Sequence, residues 1–173
     1  MDNLYIKIPS EEDELLYYDY IKDFKNNSDD NNVFCIPAQL KYKRWLKMVK
    51  ILYKKSPKDD NRIITYFFMT DSKIIGHISI KPILDYSNED LLSGNIDGAI
   101  RPSMRGLGYG RKMLSLAIKQ CIDYDLSEVY VNCSINNISS NKNIKDNGGE
   151  LQGIIYNPND NTKYKQYKIK IKR

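Results

Sequence analysis

The spacing of apolar residues along the chain is of two kinds, and each kind predicts one type of secondary structure. Apolar runs and alternation with a period of two predict strands, whereas apolar residues that recur every third or fourth position predict helices with one buried face. The predicted strands cover residues 4–8, 62–70, 73–80, 95–100, 128–133, 150–156 and 163–172. The predicted helices cover residues 10–26, 37–55, 108–124 and 138–147.

The ends of these segments carry signals that support the same division. Ser10 is followed by three acidic residues, which predicts a capped helix start. Asp71 and Ser72 form a short turn between two strands and predict an antiparallel hairpin. The polar stretches 26–32 and 81–94 are expected to be loops. The resulting order, β-α-α-β-β-β-α-β-α-β-β, predicts a mixed α and β fold.

The length of the chain predicts one domain over residues 1–173, since a chain of this size buries about 70% of its unfolded surface in a single core. No apolar run approaches the roughly 18 residues that span a bilayer. The N-terminal segment MDNLYIKIPSEEDE lacks the apolar stretch of a signal peptide. We therefore expect a cytoplasmic protein without a membrane partner.

The net charge of +5 suggests nucleic acid as one candidate ligand. Between Lys41 and Lys58, however, the lysines alternate with Trp45 and other apolar residues at helical spacing, which predicts an amphipathic helix with a solvated basic face. The C-terminal segment KYKQYKIKIKR alternates apolar and basic residues as an outer strand does. A nucleic-acid-binding domain is therefore only a minor alternative. The positive charge would also steer a small anion toward a cleft.

The cysteines and the single histidine limit the chemistry. Cys35, Cys121 and Cys133 have no Cys-x-x-Cys spacing, so we expect thiols rather than disulfides or a zinc site. Cys133 has no base nearby in sequence and is interpreted as a small buried residue rather than a nucleophile. His77 is the only histidine, and no metal site is predicted.

The glycine-rich segment RGLGYG, residues 105–110, lies where a predicted strand gives way to a predicted helix. Glycines permit positive φ and close approach of the backbone, and the first turn of a helix offers unpaired N–H groups with a partial positive charge. The segment therefore predicts a binding loop for phosphate or pyrophosphate. It is not a Walker loop, because Arg-Lys-Met follows Gly110. It is not a dinucleotide fingerprint either, because its spacing is G-x-G-x-G and it lies deep in the chain.

The string RPSMRGLGYG, residues 101–110, resembles the acetyl-coenzyme A signature of the GNAT superfamily of N-acetyltransferases. A second string, NNISSNKNIKDNGG at residues 136–149, looks like the cofactor-side helix of that family, although alone it also fits an ordinary capped helix. The two strings have the family's order and spacing. The resemblance covers nearly the whole chain and implies the single-domain GNAT fold. This fold is of the α/β (α+β) class, with a mixed, mostly antiparallel central sheet of about seven strands, about four flanking helices and splayed central strands.

The resemblance implies direct transfer of an acetyl group from acetyl-coenzyme A, the co-substrate, to a primary amine. It assigns the pantetheine and the thioester to the backbone of Gly98, Ala99 and Ile100, with a backbone N–H near Ile100 as the candidate oxyanion donor. Arg105 either contacts phosphate or braces the loop. The full set that the resemblance assigns to the rest of the cofactor is Arg105, Gly106, Leu107, Gly108, Tyr109, Gly110, Arg111, Asn137 and Ser140.

Attack by an amine requires a base, because an alkyl ammonium group with a pKa of about 10 has no lone pair. Asp97, three residues before the end of the predicted strand, is the candidate base. His77 is a chemical alternative, although a packed histidine is the favoured interpretation. Family members often supply an acid for the leaving thiolate as a tyrosine four residues before the helix-ending glycine. That position is Ile144 here, so Tyr130, Tyr156 and unassisted departure are the hypotheses.

The acceptor site is implied only in outline. In the family it is formed by the first two helices, their connection and the late hairpin, here about residues 17–45 and 156–163. Acidic and aromatic residues in the first of these ranges would suit a cationic amine: Tyr17, Tyr18, Asp19, Tyr20, Asp23, Asp29 and Asp30. A small-molecule amine, a peptide N-terminus, a lysine side chain and an aminoglycoside-like antibiotic are all open as acceptors.

Three further alternatives stay open. The first is a GNAT-folded sensor or interaction module that binds acetyl-coenzyme A without turnover. The second is an acyl group other than acetyl, because pocket depth sets acyl length. The third concerns assembly, where both a monomer and a homodimer are compatible with the sequence.

Overall fold

A computed structural model describes residues 3–27, 41–84, 94–157 and 161–172. Within these residues the strands are β1 (Tyr5–Lys7), β2 (Ile64–Thr70), β3 (Lys73–Ile80), β4 (Ile96–Ile100), β5 (Glu128–Ser134), β6 (Glu150–Asn157) and β7 (Thr162–Lys170). The α-helices are α1 (Glu14–Asn27), α2 (Tyr42–Tyr53), α3 (Tyr109–Gln120) and α4 (Ile138–Asp146). The predicted order of elements is confirmed. The predicted start of α2 at residue 37, and the loop residues 28–32 and 85–93, lie outside the described ranges.

Two predicted helices are shorter than expected because a 3₁₀ turn forms at one end. The turn Glu11–Asp13 precedes α1, and there the Ser10 N–H donates to the Asp13 carboxylate at 2.7 Å. The turn Cys121–Tyr124 follows α3 and ends at Asp125, whose φ is 56°. A left-handed backbone cannot continue a helix, so the chain turns toward β5.

The strands form two antiparallel sheets, with the orders β1-β2-β3-β4 and β5-β7-β6. Strands β4 and β5 meet only where the chain enters β4. There the Asn95 N–H donates to the Tyr130 carbonyl at 2.7 Å, the Tyr130 N–H donates to Asn95 Oδ1 at 2.7 Å, and Gly94 forms a bridge with Val131. Beyond this point the two strands belong to different sheets, and a gap opens between them. The predicted splay of the central strands is thereby confirmed.

Helices cover both faces of the first sheet. On one face α1 and α2 bury an aromatic cluster in which Trp45 stacks on Phe67 with ring centroids 5.4 Å apart. On the other face α3 and α4 bury an aliphatic cluster around Ile78 and Val129. Full burial of each such side chain contributes roughly 1.5–3 kcal/mol. Both central strands, β2 and β3, are buried along almost their whole length, which explains their continuous apolar sequence.

Helix α2 has the amphipathic character that its sequence predicts. Its buried residues are Tyr42, Trp45, Leu46 and Val49, which follow the spacing of one helical face. Its lysines lie on the exposed side. In the described ranges, no helix is long and apolar enough to cross a membrane, and no group of three or more His, Cys, Asp or Glu residues is placed to hold a metal ion.

Candidate functional site

The glycine loop between β4 and α3 leaves its backbone facing open space. Gly106 and Gly108 have φ values of 80° and 81°, which L side chains rarely adopt. A Cβ atom added at either glycine would meet nothing within 4 Å. These glycines are therefore required by their backbone conformation and not by crowding. Leu107 between them is exposed, which is consistent with a loop that contributes main-chain rather than side-chain contacts.

Helix α3 begins directly after this loop without a side-chain cap from any described residue. Its first intrahelical bond runs from the Lys112 N–H to the Gly108 carbonyl at 3.4 Å. The N–H groups that precede it in the first turn have no intrahelical acceptor. Together with the positive end of the helix dipole, they form the anion-binding geometry that the sequence predicts.

A pocket of about 310 Å³ adjoins the start of α3. Arg111 and Lys112 bring two positive charges to this pocket. Its full lining is Gly108, Arg111, Lys112, Ser115, Asp146 and Asn147. The end of α4 is held against α3 by a hydrogen bond from Asn147 Nδ2 to the Arg111 carbonyl at 3.1 Å. The lining thus carries two positive charges and, at Asp146, one negative charge, beside the first turn of α3.

Two of the loop residues serve packing. A Cβ atom at Gly110 would lie 2.6 Å from Asn143 Nδ2, so this glycine allows α4 to approach α3 closely. Tyr109 turns its ring into the core, where it meets Phe68 edge to face with centroids 6.2 Å apart. The Tyr109 side chain therefore packs within the protein, and its main chain lies at the start of α3.

The pairing of β4 with β3 determines which backbone groups face the gap. The Arg101 N–H donates to the Ile75 carbonyl at 2.9 Å, and hydrogen-bonded pairs alternate along an antiparallel ladder. Ala99 therefore exchanges its hydrogen bonds with His77. The N–H and C=O groups of Gly98 and Ile100 point the other way, toward the gap.

The three residues that the resemblance assigned to pantetheine therefore differ in the direction of their main-chain groups. Gly98 and Ile100 direct main-chain groups toward the gap, whereas those of Ala99 are used within the sheet. A Cβ atom at Gly98 would lie 2.5 Å from the His77 carbonyl oxygen, so glycine is needed here for the approach of β3. The Ile100 carbonyl already accepts a hydrogen bond from Arg105 Nε at 3.2 Å. Arg105 braces the loop through this bond.

A buried polar group supports β4 from the side of α1. His77 is only 1% exposed, and its Nδ1 lies 2.8 Å from the Tyr20 hydroxyl. The same hydroxyl lies 3.3 Å from the Ala99 carbonyl oxygen. Burial lowers the pKa of His77 to about 4, although the charge of Asp97 acts in the opposite direction. His77 is therefore neutral at neutral pH and serves as packed support, the interpretation that the sequence favoured.

The three predicted catalytic residues lie in different surroundings. Asp97 is exposed on β4, opposite Ser79 of β3. Tyr130 lies on β5 at the closed end of the gap, and its hydroxyl donates to Glu128 Oε1 at 3.3 Å. Tyr156 lies on β6, which β7 separates from β5, and its hydroxyl donates to Asn161 at 2.7 Å. The structure brings Asp97 and Tyr130 to the strands that border the gap, but it does not bring Tyr156 there.

A charged cluster beside the glycine loop was missed by sequence reasoning. Arg101 is buried, and its side chain donates to Asp19 at 2.8 Å, to Asp23 at 3.2 Å and to the Ile74 carbonyl at 3.2 Å. Asp23 also accepts from the Ser103 N–H at 3.1 Å and from the Ser103 hydroxyl at 2.9 Å. Burial favours a raised pKa for Asp23, but the donors of Ser103 and Arg101 hold it below its usual value. The only sequence signal was an arginine at the end of a strand and two acids one turn apart on α1.

This cluster removes one acid from the predicted acidic wall of the acceptor site. Asp23 is buried against Arg101, whereas the Asp19 side chain contacts the same arginine but is 54% exposed. One guanidinium balances only one of the two carboxylates, so the cluster keeps a net negative charge. Tyr17 and Tyr20 are buried in the aromatic cluster, and burial raises the pKa of Tyr17 to about 12. The remaining acids of that prediction, Asp29 and Asp30, lie outside the described residues.

The start of α4 is closed by its own side chains. Asn137 Oδ1 accepts from the Ser140 N–H at 3.0 Å, so Asn137 caps the helix. Asn141 donates to the carbonyls of Ser134 and Asn137 at 3.0 and 2.7 Å. Ile144 is 1% exposed and packs in the aliphatic core. Burial raises the pKa of the Cys133 thiol, as expected for a buried residue without a catalytic role.

Comparison with protein families agrees with this geometry. The family model described as Acetyltransferase (GNAT) family matches residues 9–148. This match covers most of the chain and confirms the resemblance drawn from residues 101–110 and 136–149. None of the curated proteins matches the sequence.

Solved structures share the fold at low sequence identity. The microcin C7 self immunity acetyltransferase MccE, solved with acetyl-CoA and AMP, has a TM-score of 0.73 and 17% identity over 99% of this chain and 94% of its own. The ribosomal-protein-S5-alanine acetyltransferase of Vibrio fischeri has a TM-score of 0.74 and 13% identity over 99% and 94%. RimL, a ribosomal L7/L12 alpha-N-protein acetyltransferase in complex with coenzyme A, has a TM-score of 0.71 and 16% identity over 97% and 94%. These similarities confirm the predicted fold.

Proposed function

The chain belongs to the acetyltransferase (GNAT) family, and from this membership we propose that it transfers an acetyl group from acetyl-coenzyme A directly to a primary amine of a small molecule or a peptide. The observation that carries the proposal is the uncapped first turn of α3 behind the left-handed Gly106 and Gly108. Such a turn binds a pyrophosphate through main-chain donors. Acetyl-coenzyme A would supply the activated acyl thioester.

Three parts of the chain would hold this co-substrate. The N–H groups of the first turn of α3 would bind the pyrophosphate, and Arg111 and Lys112 in the adjoining pocket would bind a further anionic group. The main-chain groups of Gly98 and Ile100 would bind the pantetheine along the gap. An N–H group at Ile100 is also suitably oriented to stabilise negative charge on the acyl oxygen.

Asp97 is the proposed base. It is exposed on the strand that borders the gap, and a carboxylate can take the proton that an ammonium group must lose before attack. The amine nitrogen then bonds to the acyl carbon while the carbon–sulfur bond breaks, and the nitrogen passes its second proton to water. The released thiolate takes a proton from Tyr130 or from water.

The acceptor is proposed to be an amine that is not recognised by an extended wall of negative charge. Of Asp19 and Asp23, the second is buried against Arg101, and the first stays exposed beside the same arginine. The neighbours named above act on ribosomal proteins or confer self immunity to microcin C7, and both peptides and small molecules are therefore reasonable acceptor classes.

A second candidate function is a non-catalytic sensor of acetyl-coenzyme A. It is favoured by Ile144, because the position that often carries an acid in the family is occupied here by a core residue. A sensor would bind the co-substrate without releasing free thiol in the presence of amines.

Calorimetric titration with acetyl-coenzyme A, coenzyme A and adenosine monophosphate tests the proposal first. We expect acetyl-coenzyme A and coenzyme A to bind far more tightly than the monophosphate, because only they contain pyrophosphate and pantetheine. Thiol release should then be measured with a panel of small-molecule amines and peptides. Equal, weak binding of all three ligands would contradict the proposed site, and tight binding without thiol release would favour the sensor.

A further inference from the structure

Helix α1 contacts every second residue of the segment that leads into the glycine loop. The segment covers residues 99–105, of which Pro102–Met104 form a 3₁₀ turn. The contacts are Tyr20 with Ala99, Asp19 and Asp23 with Arg101, Asp23 with Ser103, and Phe24 with Arg105. One helix therefore holds this segment along its whole length.

The central part of this contact is a buried ion pair with several hydrogen bonds. The side chains of Arg101 and Asp23 are 5% and 8% exposed, and their charges meet at 3.2 Å. Asp23 Oδ2 also accepts both the N–H and the hydroxyl of Ser103, while Asn27 Nδ2 donates to Asp23 Oδ1 at 2.9 Å. Buried charges with this many partners have a narrow range of allowed positions. A small movement of Arg101 or Ser103 would therefore move α1 as well.

The co-substrate is proposed to bind along the free edge of the same segment. Gly98 and Ile100 direct main-chain groups into the gap, and the glycine loop follows at residues 106–110. Ligand and helix would thus hold one short piece of chain from two sides. Helix α1 also lies in the range implied for the acceptor site, residues 17–45.

We propose that the Asp23–Arg101–Ser103 cluster couples occupancy of the glycine loop to the order of helix α1, so that binding of acetyl-coenzyme A stabilises the helix that borders the acceptor site. This inference rests on the proposed function. A ligand that fixes the loop restricts Arg101 and Ser103, and their directional bonds to Asp23 pass the restriction to α1. By linkage, an acceptor that orders α1 would tighten the binding of acetyl-coenzyme A. Arg101 and Asp23 act as positioning residues in this scheme.

Hydrogen exchange measured by mass spectrometry, with and without acetyl-coenzyme A, tests the coupling. In the wild-type protein we expect slower exchange in peptides from both 106–120 and 14–27. In the double variant Asp23→Asn/Arg101→Met, which removes both charges of the buried pair, slowing should persist at 106–120 and disappear at 14–27. The affinity of this variant for acetyl-coenzyme A should fall about 5-fold to 10-fold.

Two further variants separate coupling from simple loss of structure. Lys7→Met breaks the ion pair with Asp13 at the other end of α1, where the charges are 2.9 Å apart, and it should leave the ligand-dependent slowing intact. Arg101→Lys keeps the charge but loses the forked geometry, and it should retain part of the slowing at 14–27. Slowing only at 106–120 in the wild type, or unchanged slowing at 14–27 in the double variant, would overturn the inference alone. No slowing at either segment in the wild type would overturn the proposed function together with it.

Discussion

The chain passes from strand to helix on both sides of the gap, and the two junctions differ in what their backbone donors contact. After β4, the start of α3 has a left-handed Gly108 and no side-chain cap from the described residues. After β5, the start of α4 is capped by Asn137, and Asn141 ties it to the end of β5 while accepting from the Tyr167 hydroxyl at 2.8 Å. The first junction is open to a ligand, and the second is satisfied by the protein itself.

The difference shows that a helix start is a ligand site only when its donors have not been used. Both junctions carry small and polar residues of the kind found at helix starts, and the family resemblance assigned the co-substrate to both. In the structure Asn137 Oδ1 is occupied by the Ser140 N–H. Binding of the co-substrate by Asn137 and Ser140 remains a prediction, whereas their capping role is visible in the structure.

The largest expected effect comes from closing the open junction. Gly108→Glu places a negative charge where a pyrophosphate would bind, and the affinity for acetyl-coenzyme A should fall roughly 1000-fold or more. Gly108→Ala is the matched control, since it adds only the left-handed strain of a Cβ atom, about 1–2 kcal/mol, in a space with no neighbour within 4 Å. Calorimetry measures both. Similar affinities for the two variants would mean that no anion binds at this turn.

A change of pH should affect the stability of the two junctions differently. The strand β4 pairs with the buried His77, which titrates, whereas the α4 junction is held by amides that do not titrate. His77 has a pKa of about 4 in the folded protein and about 6.5 when unfolded. Between these values the unfolded chain binds a proton that the folded chain does not, so stability falls as the pH is lowered from about 6.5 to about 4, by about 3 kcal/mol in total.

Denaturant unfolding of the wild type and of His77→Gln, at several pH values between 7 and 4, measures this effect. Glutamine can keep a hydrogen bond to Tyr20 but does not titrate. The difference in unfolding free energy between the two proteins should therefore shift by about 3 kcal/mol over the range. Parallel stability curves would show that His77 is not buried in the neutral form.

The fold and the open junction could be predicted from the sequence because their signals are local. Positive φ at Gly106 and Gly108 is a property of glycine, and the strands and helices follow from short apolar periods. The Asn137 cap was visible for the same reason, as an asparagine at a helix start. Each of these features depends on residues that are neighbours in the chain.

The remaining parts of the site depend on partners that are far apart in sequence. Arg101 and Asp23 are separated by 78 residues, and Tyr20 and His77 by 57. The register between β3 and β4 decides whether the main-chain N–H and C=O groups of Ala99 point toward β3 or toward the gap. No local pattern defines that register. For this reason the sequence did not reveal that Asp19 and Asp23, which the acceptor prediction included, are partners of Arg101.

A smaller effect is expected from the strand that leads into the open junction. Asp97→Asn should lower kcat/KM about 100-fold with the amine that gives the fastest thiol release, because the base is lost. The affinity for acetyl-coenzyme A should stay the same. Activity should recover at high pH, where the amine is deprotonated without help. Ser79→Ala, opposite Asp97 in the register, is the control. An unchanged rate for Asp97→Asn would assign the base to another group.

The smallest expected effect lies at the closed junction. Asn137→Ala removes the cap of α4 and should lower the unfolding free energy by about 1 kcal/mol. Its affinity for acetyl-coenzyme A should change no more than about 3-fold. Such a change corresponds to less binding free energy than the loss of one hydrogen bond to the ligand. Asn137→Ser, which can still cap, should restore the stability.

If calorimetry instead showed a 10-fold or greater loss of affinity in the alanine variant, about 1.4 kcal/mol, Asn137 would have to contact the ligand. The contrast between an open and a closed junction would then be wrong, because both helix starts would bind the same molecule.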